Sequence, residues 1–116
     1  MNGTLVYKDY LSLYNDNKIK GLNFKKLQIQ PSSIDLSLSE EYYEIKTSFL
    51  SPDNKVRDKL KKIKARKIFL RTSKILKKNK TYIFRLNEIL NLNNFISGHC
   101  NPKSSTGRLN IFCRTI

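Results

Sequence analysis

Apolar residues in this chain recur in short runs at a period of two, and polar turn-formers interrupt each run. Extended backbone sends successive side chains to opposite faces, so such a pattern builds half-buried strands rather than long helices. Ile34, Leu36 and Leu38 alternate with Asp35, Ser37 and Ser39, and Tyr42-Tyr43-Glu44-Ile45 continues that strand or pairs with it. From Leu27 the chain reads as strand-like, with Pro31-Ser32-Ser33 as an irregular lead-in. Ile68-Phe69-Leu70, Ile75-Leu76 and Thr81 to Leu86 read as further strands, and Leu109, Ile111 and Cys113 alternate as a last one. Ser51-Pro52-Asp53-Asn54 and Asn79-Lys80 mark turns, and Asn91 to Asn94 form a polar loop before Phe95-Ile96 re-enters the core. The N-terminus differs: Leu5, Tyr7, Leu11 and Tyr14 are spaced for one face of a short helix within Val6 to Asn17, until Gly21 and Asn23 break the pattern. The expectation is a mainly β sandwich or barrel with a short N-terminal helix.

At 116 residues the chain is the size of one small domain with a single core. No apolar run approaches the roughly 18 residues of a membrane span, and Met1-Asn2-Gly3-Thr4-Leu5 lacks the pattern of a secretory signal. A cytoplasmic protein is expected, with no membrane partner. Cys100 and Cys113 are too few for a disulfide framework and are expected as buried or half-buried thiols. The formal net charge of +14 points to an anionic partner without saying which anion. Lysine, asparagine and isoleucine dominate the composition, as an AT-rich genome would supply them, so the basicity alone does not indicate nucleic acid.

The densest chemistry lies in Asn101-Pro102-Lys103-Ser104-Ser105-Thr106-Gly107-Arg108. Pro102 can open a short helical turn, with Ser104 or Ser105 as its cap. Backbone N–H groups at such a start, two hydroxyls and the Lys103 ammonium suit phosphate oxygens. Arg108, four residues after Ser104, projects from the same side. Gly107 allows close backbone approach or a positive φ. On composition alone, the same residues also make an ordinary surface loop.

Asn-Pro-Lys-Ser-Ser-Thr-Gly-Arg-Leu at 101–109 resembles, nearly letter for letter, the long-form deoxycytidine triphosphate (dCTP) deaminases of alphaproteobacteria. Gln-Pro-Ser-Ser-Ile-Asp-Leu at 30–36 is similar to that family's second signature, and Glu88-Ile89-Leu90 to its strand pair ending in a Glu-hydrophobic-Leu element. Gly3-Thr4-Leu5 and the short helix after it also fit. The resemblance implies a distorted β-barrel or jelly roll of the dUTPase-like type, working as a trimer or as repeated domains. It implies dCTP as substrate, with Mg2+ accompanying the triphosphate. Lys103, Ser104 and Ser105 would bind the triphosphate, with Thr106, Gly107 and Arg108 completing the segment. Ser104 and Arg108 would help position the attacking water and stabilise charge near the pyrimidine. Asp35 would brace its strand through local hydrogen bonds, a metal role being the alternative that fold analogy offers.

Deamination at C4 of cytosine needs an activated water, protonation of N3 and departure of ammonia. The zinc route uses His-x-Glu and Pro-Cys-x-x-Cys. This chain has one histidine, and Cys100 and Cys113 lack the spacing, so no zinc is expected. His99 beside Cys100 makes two ligands, not a site. The other route needs a carboxylate as general acid/base beside an oriented water, and the family implied by resemblance uses a glutamate after the Lys-Ser-Ser motif. Only Leu109-Asn110-Ile111-Phe112-Cys113-Arg114-Thr115-Ile116 follows Arg108 here. Glu88 lies upstream and reads as a structural strand end. Residues 1–116 are therefore expected to be the N-terminal portion of a longer deaminase, stopping before its catalytic strand. Alone, they are expected to be inactive and prone to self-association.

Two other readings stay open. A deoxyuridine triphosphatase of the same fold would release pyrophosphate instead of ammonia. A nucleic-acid-binding module would use the basic run Lys55 to Lys80 with Phe69, Tyr82 and Phe84 as stacking platforms, although basic runs are usually solvated faces.

Overall fold

The computed structural model describes residues 3–47, 55–71 and 75–112. Helix α1, Tyr7–Asn15, opens where the Asp9 carboxylate accepts the Val6 N–H at 2.8 Å. It docks through the Tyr7 N–H, donated to the Pro31 carbonyl at 2.8 Å. Strand β1, Ile19–Gly21, follows. A 3-10 turn at Lys26–Gln28 then leads into β2, Leu38–Ile45. Helix α2, Val56–Lys62, and strand β3, Arg66–Phe69, occupy the basic run. Strands β4, Thr81–Leu86, and β5, Glu88–Leu90, precede a last helical turn, α3, Ser104–Arg108.

The strands form two antiparallel sheets, one of β1 and β5 and one ordered β3-β2-β4. The mainly β, antiparallel architecture with a short N-terminal helix thus stands. Among the described residues the sheets do not close into a barrel.

Few side chains make the core. Tyr42 and Ile19 are the most deeply buried. The Tyr42 ring stacks on Phe84 at 4.8 Å and meets Tyr82 edge-on at 5.6 Å, which ties β2 to β4 through their aromatic faces. Ile45 and Leu60 form a second buried contact with Tyr43, Ile63, Ala65 and Ile83 around it, seating α2 on the three-stranded sheet. Gly21 is needed for close approach. A Cβ there would lie 3.2 Å from the Phe24 Cβ and 3.5 Å from the Glu88 Cγ.

Several sequence expectations need correction. Ile34 and Leu36 lie outside any strand; Ile34 makes only an isolated bridge to Ile29. The backbone folds back on itself there, with the Gln30 N–H on the Ser33 carbonyl and the Asp35 N–H on the Gln28 carbonyl, both at 2.8 Å. Leu38 does begin β2, but an irregularity between Leu38 and Tyr42 shifts the register, and Leu38 is exposed. Ile75 and Leu76 are exposed and outside any strand, and Phe95 lies on the surface. Leu109 and Ile111 are exposed residues following a helix, not a final strand. Cys100 is exposed rather than buried. Cys113 and the turn at Ser51-Pro52-Asp53-Asn54 lie outside the described residues.

The three α-helices among the described residues end in the same way. Asn17, Lys64 and Asn110 take φ of 57°, 51° and 57°. In each case the following N–H reaches back into the last turn: Lys18 to Leu13, Ala65 to Leu60 and Ile111 to Thr106. This paired closure in a left-handed residue stops a helix and turns the chain away. It explains why Leu109 and Ile111 do not extend as an alternating strand.

Candidate functional site

The segment from Lys103 to Arg108 is one exposed helical turn preceded by extended backbone, Lys103 having φ −61° and ψ 148°. The expected helical turn after Pro102 is present. Its cap is Lys103, however, not a serine, and no side chain caps it. Ser104 and Ser105 are instead the first two helical residues. Both are exposed, and their hydroxyls make no hydrogen bond among the described residues. The Ser104 and Ser105 amides precede the first intrahelical bonds, which run from Thr106 and Gly107 to the Lys103 carbonyl. Ser104 and Arg108, one helical turn apart, share a face, and Arg108 is likewise exposed. Thr106 is half-buried. Gly107 does not take a positive φ, and nothing among the described residues lies within 4 Å of where a Cβ would stand, so the backbone there is open to approach.

Lys103 joins the two motif segments. Its Nζ donates to Asp35 Oδ2 at 2.7 Å across 68 residues of chain. The expectation of a purely local role for Asp35 is corrected here: its backbone bonds locally, but its carboxylate holds Lys103. Behind Asp35 runs a series of short contacts. Gln28 Nε2 donates to the Asp35 carbonyl at 2.9 Å and to Glu88 Oε1 at 3.0 Å. Glu88, 8% exposed, also accepts the Ser37 N–H at 2.9 Å and the Ser37 hydroxyl at 2.8 Å. Burial acts to raise the Glu88 carboxyl's pKa, but the Ser37 and Gln28 donors outweigh it and hold the group below its ordinary value. Glu88 is therefore an ionised internal anchor, as a structural strand end should be. Its exposure and contacts leave it no access to a ligand.

Nothing in the sequence marked Gln28 or Ser37 as partners of Glu88, because their bonds cross 60 and 51 residues of chain. The Lys103–Arg108 turn lines neither of two concavities formed elsewhere by the described residues. The larger, about 430 Å³, lies at the end of α1 beside β1, where Tyr14 and Phe24 meet at 5.3 Å. With Lys103, Ser104, Ser105 and Arg108 all exposed, the turn is a cationic, hydroxyl-bearing surface. His99 and Cys100 are both exposed, and no three His, Cys, Asp or Glu side chains gather into a metal cage among the described residues. Asp35, which contacts the turn, is already paired with Lys103. No helix among the described residues is long and apolar enough to cross a membrane.

The family model of the 2'-deoxycytidine 5'-triphosphate deaminase N-terminal domain matches residues 1–116, and the chain belongs to that family. Among solved structures, the 2'-deoxycytidine 5'-triphosphate deaminase from Agrobacterium tumefaciens is similar at 36% sequence identity, with a TM-score of 0.84. That similarity covers 95% of this chain and 33% of the Agrobacterium chain, so the present chain spans about a third of its neighbour's length. No curated protein matches.

Proposed function

We propose that residues 1–116 supply the triphosphate-holding part of a dCTP deaminase, which converts dCTP to dUTP and ammonia. The observation that carries this reading is the Lys103 ammonium held by Asp35 at the foot of a turn whose Ser104 and Ser105 hydroxyls are free among the described residues. Family membership and the likeness to the Agrobacterium deaminase support it.

In this reading the triphosphate takes Lys103 as a charge-assisted donor, with the Ser104 and Ser105 hydroxyls and the amides of the turn closing on its oxygens. Arg108 and Ser104, on one face of the turn, orient the attacking water and stabilise charge developing on the pyrimidine. In this reading the general acid/base is a glutamate outside these residues, and the domain is the N-terminal portion of the catalytic unit. Mg2+ would accompany the triphosphate and offset part of its charge. The working unit is a cytoplasmic, trimer-like oligomer, and no zinc takes part.

The test is calorimetric titration with Mg-dCTP, alongside deoxycytidine monophosphate and a random oligonucleotide. Selective triphosphate binding is expected, weakened about 10- to 100-fold in Lys103→Ala, the loss of one hydrogen bond to a charged group. Equal binding by the variant would sink the assignment of Lys103. Strongly salt-dependent oligonucleotide binding in its place would favour the basic-module reading. When the chain is joined to the missing carboxylate segment, ammonia rather than pyrophosphate is the expected product.

A further inference from the structure

The second concavity, about 170 Å³, lies between α2 and the three-stranded sheet, away from the Lys103 turn. Its polar wall is unusual. Glu41, on β2, accepts the Tyr43 hydroxyl at 2.7 Å and sits 3.2 Å from Lys67 Nζ. Those two contacts satisfy the carboxylate. The Tyr43 hydroxyl bond lowers its pKa most; burial opposes this, and Lys67 and Arg57 add to the lowering. Two further cations nevertheless approach it. Arg57 Nη1 stands 3.9 Å from Oε1, and Arg85 Nη1 stands 3.7 Å from Oε2. Both distances exceed hydrogen-bonding reach, and neither guanidinium makes a hydrogen bond among the described residues. Three cations around one carboxylate leave two positive charges in surplus.

The surplus falls on the two arginines, both of which line the concavity. One comes from α2 and the other from β4, so rigid elements set their separation. Below them the lining is apolar, with Leu60, Ile83 and Phe84. Guanidinium forks match tetrahedral and planar oxyanions, and an apolar floor raises the strength of such bonds by excluding water. The volume is below the roughly 300 Å³ at which sites for drug-sized ligands begin, which limits the occupant to a small anion.

We propose that Arg57 and Arg85 form a second anion site that takes a dianionic phosphate, free or as a small phosphomonoester, bridged between the two guanidinium groups. The occupant binds on the far side of the forks from Glu41, whose charge Lys67 neutralises. The site is independent of the Lys103 turn and of the deaminase reading.

The test is an NMR titration of the protein with inorganic phosphate, following the Tyr43 ring and the arginine side-chain resonances. Saturable shifts at these positions are expected, with binding about 10-fold or more weaker in Arg57→Gln/Arg85→Gln. Lys103→Ala should leave them unchanged. The side chains of Arg57 and Arg85 are 60% and 51% exposed, so the fold tolerates the exchange, and Arg57→Lys/Arg85→Lys, which keeps charge without the fork, should bind at an intermediate level. Tighter binding of phenyl phosphate than of inorganic phosphate would place a monoester on the apolar floor. Undiminished phosphate binding by the double glutamine variant, or binding lost only in Lys103→Ala, overturns the proposal.

Discussion

Lys103 combines high exposure with a short ion pair, its side chain 62% and that of Asp35 32% exposed. Exposed pairs of this kind contribute roughly 0–1 kcal/mol to stability. Lys103→Ala should therefore barely move the denaturant midpoint while it weakens nucleotide binding. Glu88 is the opposite case. Glu88→Ala strips three donors of a buried charged acceptor and should cost about 3 kcal/mol in a urea melt. Because its folded pKa is depressed, its contribution is fully present above the unfolded value near pH ~4.3. It is lost as the pH falls below that point through the lower folded value. Stability measured from pH 7 down to pH 3 should fall less steeply in Glu88→Gln than in the wild type. Some slope should persist, since Glu41 is depressed as well. A pH profile identical to wild type would contradict this account of Glu88. The Lys-Ser-Ser-Thr-Gly-Arg turn was legible because its chemistry is local. The Asp35–Lys103 pair was not, because no local pattern encodes a contact across 68 residues.

Among the elements, α2 shows where pattern reading failed and why. Val56, Leu60 and Ile63 carry a helical spacing, but lysines crowd the segment and only Leu60 is fully buried. The signal was present and too short to stand out. Asp58 in the first turn and Lys59, Lys61 and Lys62 in the last also match the helix dipole. The alternation at Ile34 to Leu38 failed for another reason: the backbone folds back on itself between Gln28 and Asp35, and the register shifts after Leu38, neither of which a period of two can foresee. The helix stops can be tested. Asn at positions 17 and 110 tolerates left-handed backbone, whereas Lys64 at φ 51° carries a Cβ penalty that glycine would relieve. Lys64→Gly should stabilise the protein by about 0.5–1 kcal/mol, seen as a higher thermal midpoint. A drop would show that the Lys64 side chain makes a stabilising contact not visible in its backbone geometry.

The whole molecule is more open than its length requires. Its radius of gyration is 15.9 Å, against about 13 Å for a compact domain of roughly 100 residues. Leu22, Leu27, Phe95, Leu109 and Phe112 are each more than two-thirds exposed. Surfaces with so many large apolar side chains drive association. Sedimentation velocity should show a mass that rises with concentration, and replacing Phe95 and Leu109 by serine should lower it. A monodisperse monomer at every concentration would contradict this reading of the surface. The mainly β architecture was legible in the sequence. How loosely its sheets are closed depends on packing between distant segments.

The β1–β5 ladder pairs Ile19 with Leu90 and Gly21 with Glu88, segments separated by most of the chain. Loop-closure entropy must be overcome before such a pairing gains anything, so this sheet forms late. On the ribosome, Gln28 and Ser37 emerge long before the carboxylate that will bind them, and Asp35 emerges before Lys103. Any nascent chain stopped short of Glu88 keeps the local bonds of the 30–36 segment but lacks the Glu88 anchor on Gln28 and Ser37 and the Lys103 contact to Asp35. Refolding should therefore recover helix signal well before it recovers the Asp35–Lys103 pair.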